Sequence, residues 1–328
     1  MPSNSKEHQQ KEKGDNVSEA TDSNRNLMRG IFELARLHKP ELTLLAWYPS
    51  VWTLCLVIHT LGQPMGAFDF FSMVFKNYLI VALTHSTCCT MNDILDRNID
   101  GLIPRTASRP LPSGMVSLRT AIFAFIGWAA VTLSTTAYLQ GAYSLVLWTP
   151  AWILSLLYPL GKRFIDFPQL ILGSACAWVL LPAWVNGGGG VFGREELTPM
   201  VFFIIFWIMY IDMFYATMDS EHDISAGVRT LAVTLKPRIH FYLSLLAGLQ
   251  LLCLSILAYR VERSALFWVL GVGVWAVNNV WHISGLRIVD GNWAAGSGHT
   301  IFVRNIGLGL WLTVVEVLEL WSNGRLAF

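Results

Sequence analysis

The alternation of apolar and polar stretches organises this chain before any motif is considered. Nine apolar runs are long enough to cross a bilayer: roughly 42–61, 77–93, 120–138, 142–159, 168–186, 199–217, 240–259, 265–284 and 305–321. A spanning helix needs about 20 such residues. The run at 142–159 is short, and 168–186 carries Pro168 and Pro182, which membrane helices tolerate when neighbours satisfy the backbone. The pattern predicts an all-α, integral membrane bundle of about nine transmembrane helices. Residues 1–26 are polar, lack an apolar core segment, hold several acids and have no Arg before Arg25. They read as a disordered cytosolic tail, not as a secretory signal or an Arg-rich mitochondrial presequence. Leu27 to Leu37 mixes apolar and charged positions at helical spacing and reads as a helix along the membrane surface, leading into His38-Lys39-Pro40-Glu41. The domain division is thus 1–26 for the tail and 27–328 for the membrane unit.

Composition agrees with that class. Hydrophobic residues make up 54% and charged residues 14%, with a mean hydropathy of +0.48, too apolar for an ordinary soluble domain. A net charge of +1 argues against nucleic acid as a partner. The five cysteines lack metal-ligand spacing and read as small apolar fillers. His85, His282 and His299 are isolated and read as satisfied core or interface groups. Loops after the second, fourth, sixth and eighth runs hold most of the basic residues, among them Arg97, Arg105, Arg109, Arg163 and Arg229. That asymmetry places these loops and the N-terminus in the cytosol.

Two acidic clusters close apolar runs on that same side. Asn92, Asp96 and Asp100 are spaced i, i+4, i+8, which puts them on one helical face, with Asp93 beside the stripe. Asp212, Asp219 and Asp223 are spaced i, i+7, i+11 and fall within about 20° of one line at 100° per residue, with Tyr215 alongside. Carboxylates on one face repel each other unless a cation bridges them. Oxygen donors without His or Cys suit Mg²⁺, which commonly takes one or two carboxylates plus substrate phosphates. An acid at mid-bilayer costs about 2.5–3.5 kcal/mol, so these residues are expected to line a wet, cation-filled cavity at the cytosolic surface. The arginines that follow, Arg105 and Arg109 above all, suit a diphosphate or a substrate carboxylate. Together the clusters suggest a diphosphate held between two metal sites.

Longer stretches carry a family resemblance. N-D-I-L-D-R-N-I-D-G followed by R-T-A-S-R-P-L-P-S-G, from Asn92 to Gly114, resembles the first signature of the UbiA-type membrane prenyltransferases. D-M-F-Y-A-T-M-D-S-E-H-D with G-V-R-T, from Asp212 to Thr230, resembles the second, and Y-P-L-G-K-R, from Tyr158 to Arg163, is similar to their short basic loop. His222 stands where relatives often have a further acid, and Arg229 where they often have Lys. The resemblance implies nine spans and a cytosol-facing active-site cavity. It implies metal ligation by Asn92, Asp93, Asp96, Asp100, Asp219 and Asp223, diphosphate or substrate binding by Arg105, Arg109, Lys162, Arg163 and Arg229, and catalytic roles for Asp212 and Tyr215. The implied activity is Mg²⁺-dependent transfer of a prenyl group, farnesyl in fungal members, from its diphosphate to an orsellinic-acid-type polyketide phenolic acid in meroterpenoid biosynthesis.

Two alternatives stay open at this level. One is a 4-hydroxybenzoate polyprenyltransferase of ubiquinone biosynthesis. The other is a membrane cation transporter, although its acids should be spread across the membrane depth, whereas here they gather at one side. The expected partners are prenyl diphosphate, a phenolic acid and the lipid bilayer, with no nucleic acid and no obligate protein partner. The expected location is the endoplasmic reticulum or another endomembrane.

Overall fold

The computed structural model describes residues 24–161, 163–190, 195–217, 235, 238–286, 288–289, 292–293 and 297–327. An amphipathic helix α1 covers 24–34. It is followed by α2 (Pro40–Leu61), α3 (Ala67–Asp100), α4 (Leu118–Gln140), α5 (Ala142–Gly161), α6 (Pro168–Asn186), α7 (Leu197–Ala216), α8 (Ile239–Arg260), α9 (265–285) and α10 (Ser297–Ser322). Among the described residues the remaining structure is loops and four two-residue strands. Met65–Gly66 pairs in parallel with Leu326–Ala327, and Ile288–Val289 pairs with Asn292–Trp293. The all-α membrane bundle is therefore the fold observed.

Among the described residues, eight helices are long and apolar enough to cross a membrane, and α9 falls short of that measure because it is interrupted. Its first half, Phe267–Gly273, is wound as a π-helix. The Trp311 indole donates to the Leu270 carbonyl at 2.7 Å inside this segment, and inserted donors of this kind distort a regular ladder. The eighth apolar run is thus helical, but with a changed pitch. In α6 the break falls at Val179, between Pro168–Trp178 and Leu180–Asn186. Pro182 has no N–H for the Trp178 carbonyl four residues back, which accounts for its position.

The largest departure from the sequence pattern is α3. The apolar run covers 77–93, but the helix runs for 34 residues to Asp100, about 50 Å at 1.5 Å per residue. That exceeds a hydrocarbon core of about 30 Å, so the whole first acidic cluster is helical. The apolar run ends near Met91; the helix does not, because neither Gly nor Pro interrupts the chain until Gly101.

The centre of the bundle is α2, whose apolar window is 72% buried, while α4 at 11% faces outward. Trp52 sits at the hub. Its ring lies 5.1 Å from that of Trp207 and 6.2 Å from that of Trp275, and its Nε1 donates to Thr313 Oγ1 at 2.9 Å. At Gly173 a Cβ would stand 3.0 Å from the Ile205 carbonyl oxygen, so the glycine sets how closely α6 approaches α7. Helix α1 is not merely a surface helix. Leu34 is fully buried and packs with Ile94 and Val116, docking α1 on α3 and the loop that follows it.

Candidate active site

The ends of α3, α5 and α7 and the starts of α2, α6 and α10 gather at one end of the bundle. Arg105 Nη1, in the loop after α3, donates to the Tyr215 hydroxyl at 2.9 Å, near the end of α7. Its guanidinium lies 5.1 Å over the same ring, and that ring is 5.0 Å from Phe302 of α10. Arg163, after α5, donates to the Leu95 carbonyl at 2.6 Å and lies 3.8 Å from Asp96. The loop 101–117 holds its shape because buried Thr106 bonds back to the Asp100 carbonyl at 2.8 Å.

The carboxylates of α3 divide by face. Asp93 is fully buried and accepts from Arg36 Nη2 at 2.7 Å and from Arg109 Nη1 at 3.2 Å. The same Arg109 nitrogen reaches Asp100 at 2.7 Å, so one guanidinium ties two acids a helical stretch apart. Asp96 turns towards Arg163. Asn92 faces the interior, where it lines an apolar cavity. Asp212 on α7 is half-buried and acts electrostatically on Cys176, which lines that cavity too. Asp219, Asp223, Lys162 and Arg229 lie outside the described residues. Among the described residues, no three His, Cys, Asp or Glu side chains converge on one point. The donor chemistry of Asn92, Asp96 and Asp100, all hard oxygens on one stripe, suits Mg²⁺.

Two cavities meet this region. The first, about 190 Å³, runs between α2, α3, α5 and α6 from Asn92 and Tyr158 down to Val81, Trp148 and Val179, and its walls are overwhelmingly apolar. His85 is part of that wall. Its Nδ1 lies 3.1 Å from Thr43 Oγ1 and its Nε2 lies 3.3 Å from Cys89 Sγ, so both ring nitrogens have partners, as the sequence suggests for an isolated core histidine. The second, about 320 Å³, opens between the α1–α2 turn, the 105–110 loop, Tyr215 and the start of α10, and holds Arg36, Lys39, Arg105 and Arg109 against Glu33 and Glu41.

Arg36 and Lys39 are functional candidates that the structure adds to the residues marked by the sequence. The only signal was their place in the Arg36-Leu37-His38-Lys39-Pro40 turn. Arg36 adopts a left-handed backbone, φ 55°, which a side chain with a Cβ takes at a cost of about 1–2 kcal/mol. Burial works against its charge, but the Asp93 carboxylate overrides this and holds the guanidinium above its ordinary range. Lys39 is pushed the other way, first by partial burial and then by Arg36, Arg105 and Arg109. A lowered Lys39 loses its proton at lower pH than a free lysine. The KM of any anion held in this pocket is therefore expected to climb as pH rises through the alkaline range. Lys39→Arg should flatten that rise, which pH-resolved kinetics would show; an unchanged profile would count against Lys39 as a contact.

A family model described as UbiA prenyltransferase family matches residues 46–297. The chain is 40% identical over 305 residues to the polyprenyl transferase macG of Penicillium terrestre, covering 93% of this chain and 94% of that one. It is 32% identical to a 4-hydroxybenzoate octaprenyltransferase of Psychromonas ingrahamii, over 72% of this chain and 79% of that one. A solved UbiA homologue from Archaeoglobus fulgidus, bound to GPP and Mg²⁺, superposes with a TM-score of 0.68 at 17% identity, covering 89% and 99% of the two chains. That structural likeness is one of fold.

Proposed function

Because the chain belongs to the UbiA prenyltransferase family and is an aromatic prenyltransferase of the membrane, we propose that it moves a farnesyl group from its diphosphate to a ring carbon of an orsellinic-acid-type phenolic acid. The observation that carries this reading is the pair of cavities meeting at α3. Asn92 faces a greasy cavity, while its neighbour Asp93 is tied through Arg36 and Arg109 to a cationic one. A lipid tail suits the first and an anionic head or acid the second.

Asn92, Asp96, Asp100, Asp219 and Asp223 are the residues proposed to hold Mg²⁺; their hard oxygen donors support that set, and the A. fulgidus homologue solved with GPP and Mg²⁺ supports metal dependence in general. Bound there, the metal would neutralise charge building on the departing diphosphate. Arg105, Lys162, Arg163 and Arg229 are proposed to grip the diphosphate oxygens, and Arg36, Lys39 and Arg109 to frame the acceptor carboxylate. The allylic C–O bond breaks with its electron pair leaving on the diphosphate. An aromatic face such as that of Tyr158, which lines the apolar cavity, stabilises the allylic cation, while Tyr215, held by Arg105, borders the acceptor pocket. The phenol ring attacks carbon 1, and Asp212 takes the ring proton, restoring aromaticity. Apolar walls keep water from quenching the cation. The excess of Arg and Lys in the loops at the motif end supports a cytosol-facing site in an endomembrane.

Cavity depth supports a C15 donor. From Asn92 to Val81 is eleven residues of α3, about 16 Å. Three backbone bonds span about 3.5 Å, so the four chain bonds of an isoprene unit span about 4.5 Å and a farnesyl tail about 14 Å. An octaprenyl tail, about 36 Å on the same scale, exceeds the cavity, which disfavours the ubiquinone alternative. The test is microsomes carrying the protein, supplied with Mg²⁺, C10, C15 and C20 diphosphates, orsellinic-type acids and 4-hydroxybenzoate, with products read by mass spectrometry. A farnesylated orsellinic-type acid is expected; turnover of 4-hydroxybenzoate alone would overturn the acceptor assignment.

A further inference from the structure

The far end of the apolar cavity is built as a stop. On each of three walls, the lining residue farthest from the acidic end belongs to one packed cluster: Val81 on α3, Trp148 on α5 and Val179 on α6. Trp148 is the largest of these and is fully buried. Its indole is fixed on two sides. Nε1 donates to Gln140 Oε1 at 2.9 Å, and Gln140 Nε2 in turn donates to Asn77 Oδ1 at 2.6 Å, with Asn77 itself buried. Its ring stacks on Trp152 at 6.4 Å and 17°, and Trp152 is held by its own bond to Thr84 Oγ1 at 3.1 Å.

A polar chain of this kind inside a membrane bundle is costly, the more so because the buried Asn77 Nδ2 finds no partner among the described residues, and here the chain serves to fix one ring. An indole so restrained cannot swing aside to admit a longer ligand. Apolar fit discriminates strongly, because an overlong tail must break this packing and a short one leaves a void.

From this geometry we propose that Trp148 is the residue that limits prenyl chain length, its indole closing the cavity beyond the third isoprene unit, with the Gln140–Asn77 pair as its positioning residues. The proposal rests on the prenyl-transfer reading above and adds which residue selects among donors. It predicts that the stop can be moved in both directions. Trp148→Leu lowers the floor while keeping an apolar side chain. Ala151→Phe raises it, since Ala151 lines the same face of α5 one turn nearer the acidic end.

The experiment is competition between C10, C15 and C20 diphosphates at limiting concentration, with the wild-type chain and each variant in microsomes and products counted by mass spectrometry. Ratios are read, so the amount of folded protein cancels. Trp148→Leu is expected to raise the C20-to-C15 ratio of kcat/KM, and Ala151→Phe the C10-to-C15 ratio, each by about tenfold or more. Ratios unchanged within about twofold in both variants, far below the discrimination an apolar pocket gives, would overturn the gauge. A wild-type chain inert with every diphosphate would instead overturn the transfer reading.

Discussion

Asp96→Asn and Asp219→Asn are each expected to lower prenyl transfer by about 100- to 1,000-fold, the loss seen when one element of a preorganised electrostatic site is removed. The argument for Asp96 is geometric. It is almost fully buried at 5% exposure, it follows Asn92 by one helical turn, and Arg163 approaches it from the α5–α6 loop. The amide keeps size and hydrogen bonding but removes the charge that a divalent ion requires. Asp219 carries the same expectation on spacing alone. Both variants should keep the parental thermal stability in detergent and lose turnover across the whole Mg²⁺ range. Chelating divalent ions should reproduce the loss in the parent. Wild-type rates in both variants would remove the metal assignment.

The second large effect is on stability. Arg36→Ala leaves Asp93 buried with one cation in place of two, and stripping a partner from a buried charge pair costs about 3–5 kcal/mol. Arg109 remains at 3.2 Å, which puts the expected loss near the lower bound, about 3 kcal/mol. Arg36→Gly separates charge from backbone. It loses the same ion pair but relieves the left-handed strain at φ 55°, so it should be the milder change by about 1 kcal/mol. Thermal unfolding in detergent measures both. Equal losses would mean that the backbone there relaxes freely once the ion pair is gone.

Much of the fold was legible because its signal is additive. Runs of about twenty apolar residues accumulate evidence that no single substitution erases, and the bundle follows from them. The reach of α3 to Asp100 was legible from the i, i+4, i+8 spacing of Asn92, Asp96 and Asp100 and not from polarity, since the apolar run ends before them. The acids themselves were visible by spacing, but their division was not. A period of 3.6 places Asp93 near the stripe of Asn92 and Asp96, whereas Arg36, 57 positions earlier, decides that it turns away from the cavity. Trp148 was one of fourteen tryptophans in a membrane sequence, with nothing local to mark it. Its role depends on Gln140 at the end of α4 and Asn77 on α3, and contacts of that range leave no trace in composition.

Docking of the first helix has a practical consequence. A shortened chain beginning at Pro40 would retain every apolar crossing and would insert normally, yet it would lack Arg36 and the Leu34 contact that seat the acidic end of α3. Such a truncation separates insertion from competence: the transmembrane portion is complete without the amphipathic leader, while the reaction centre reaches outside it for one of its walls.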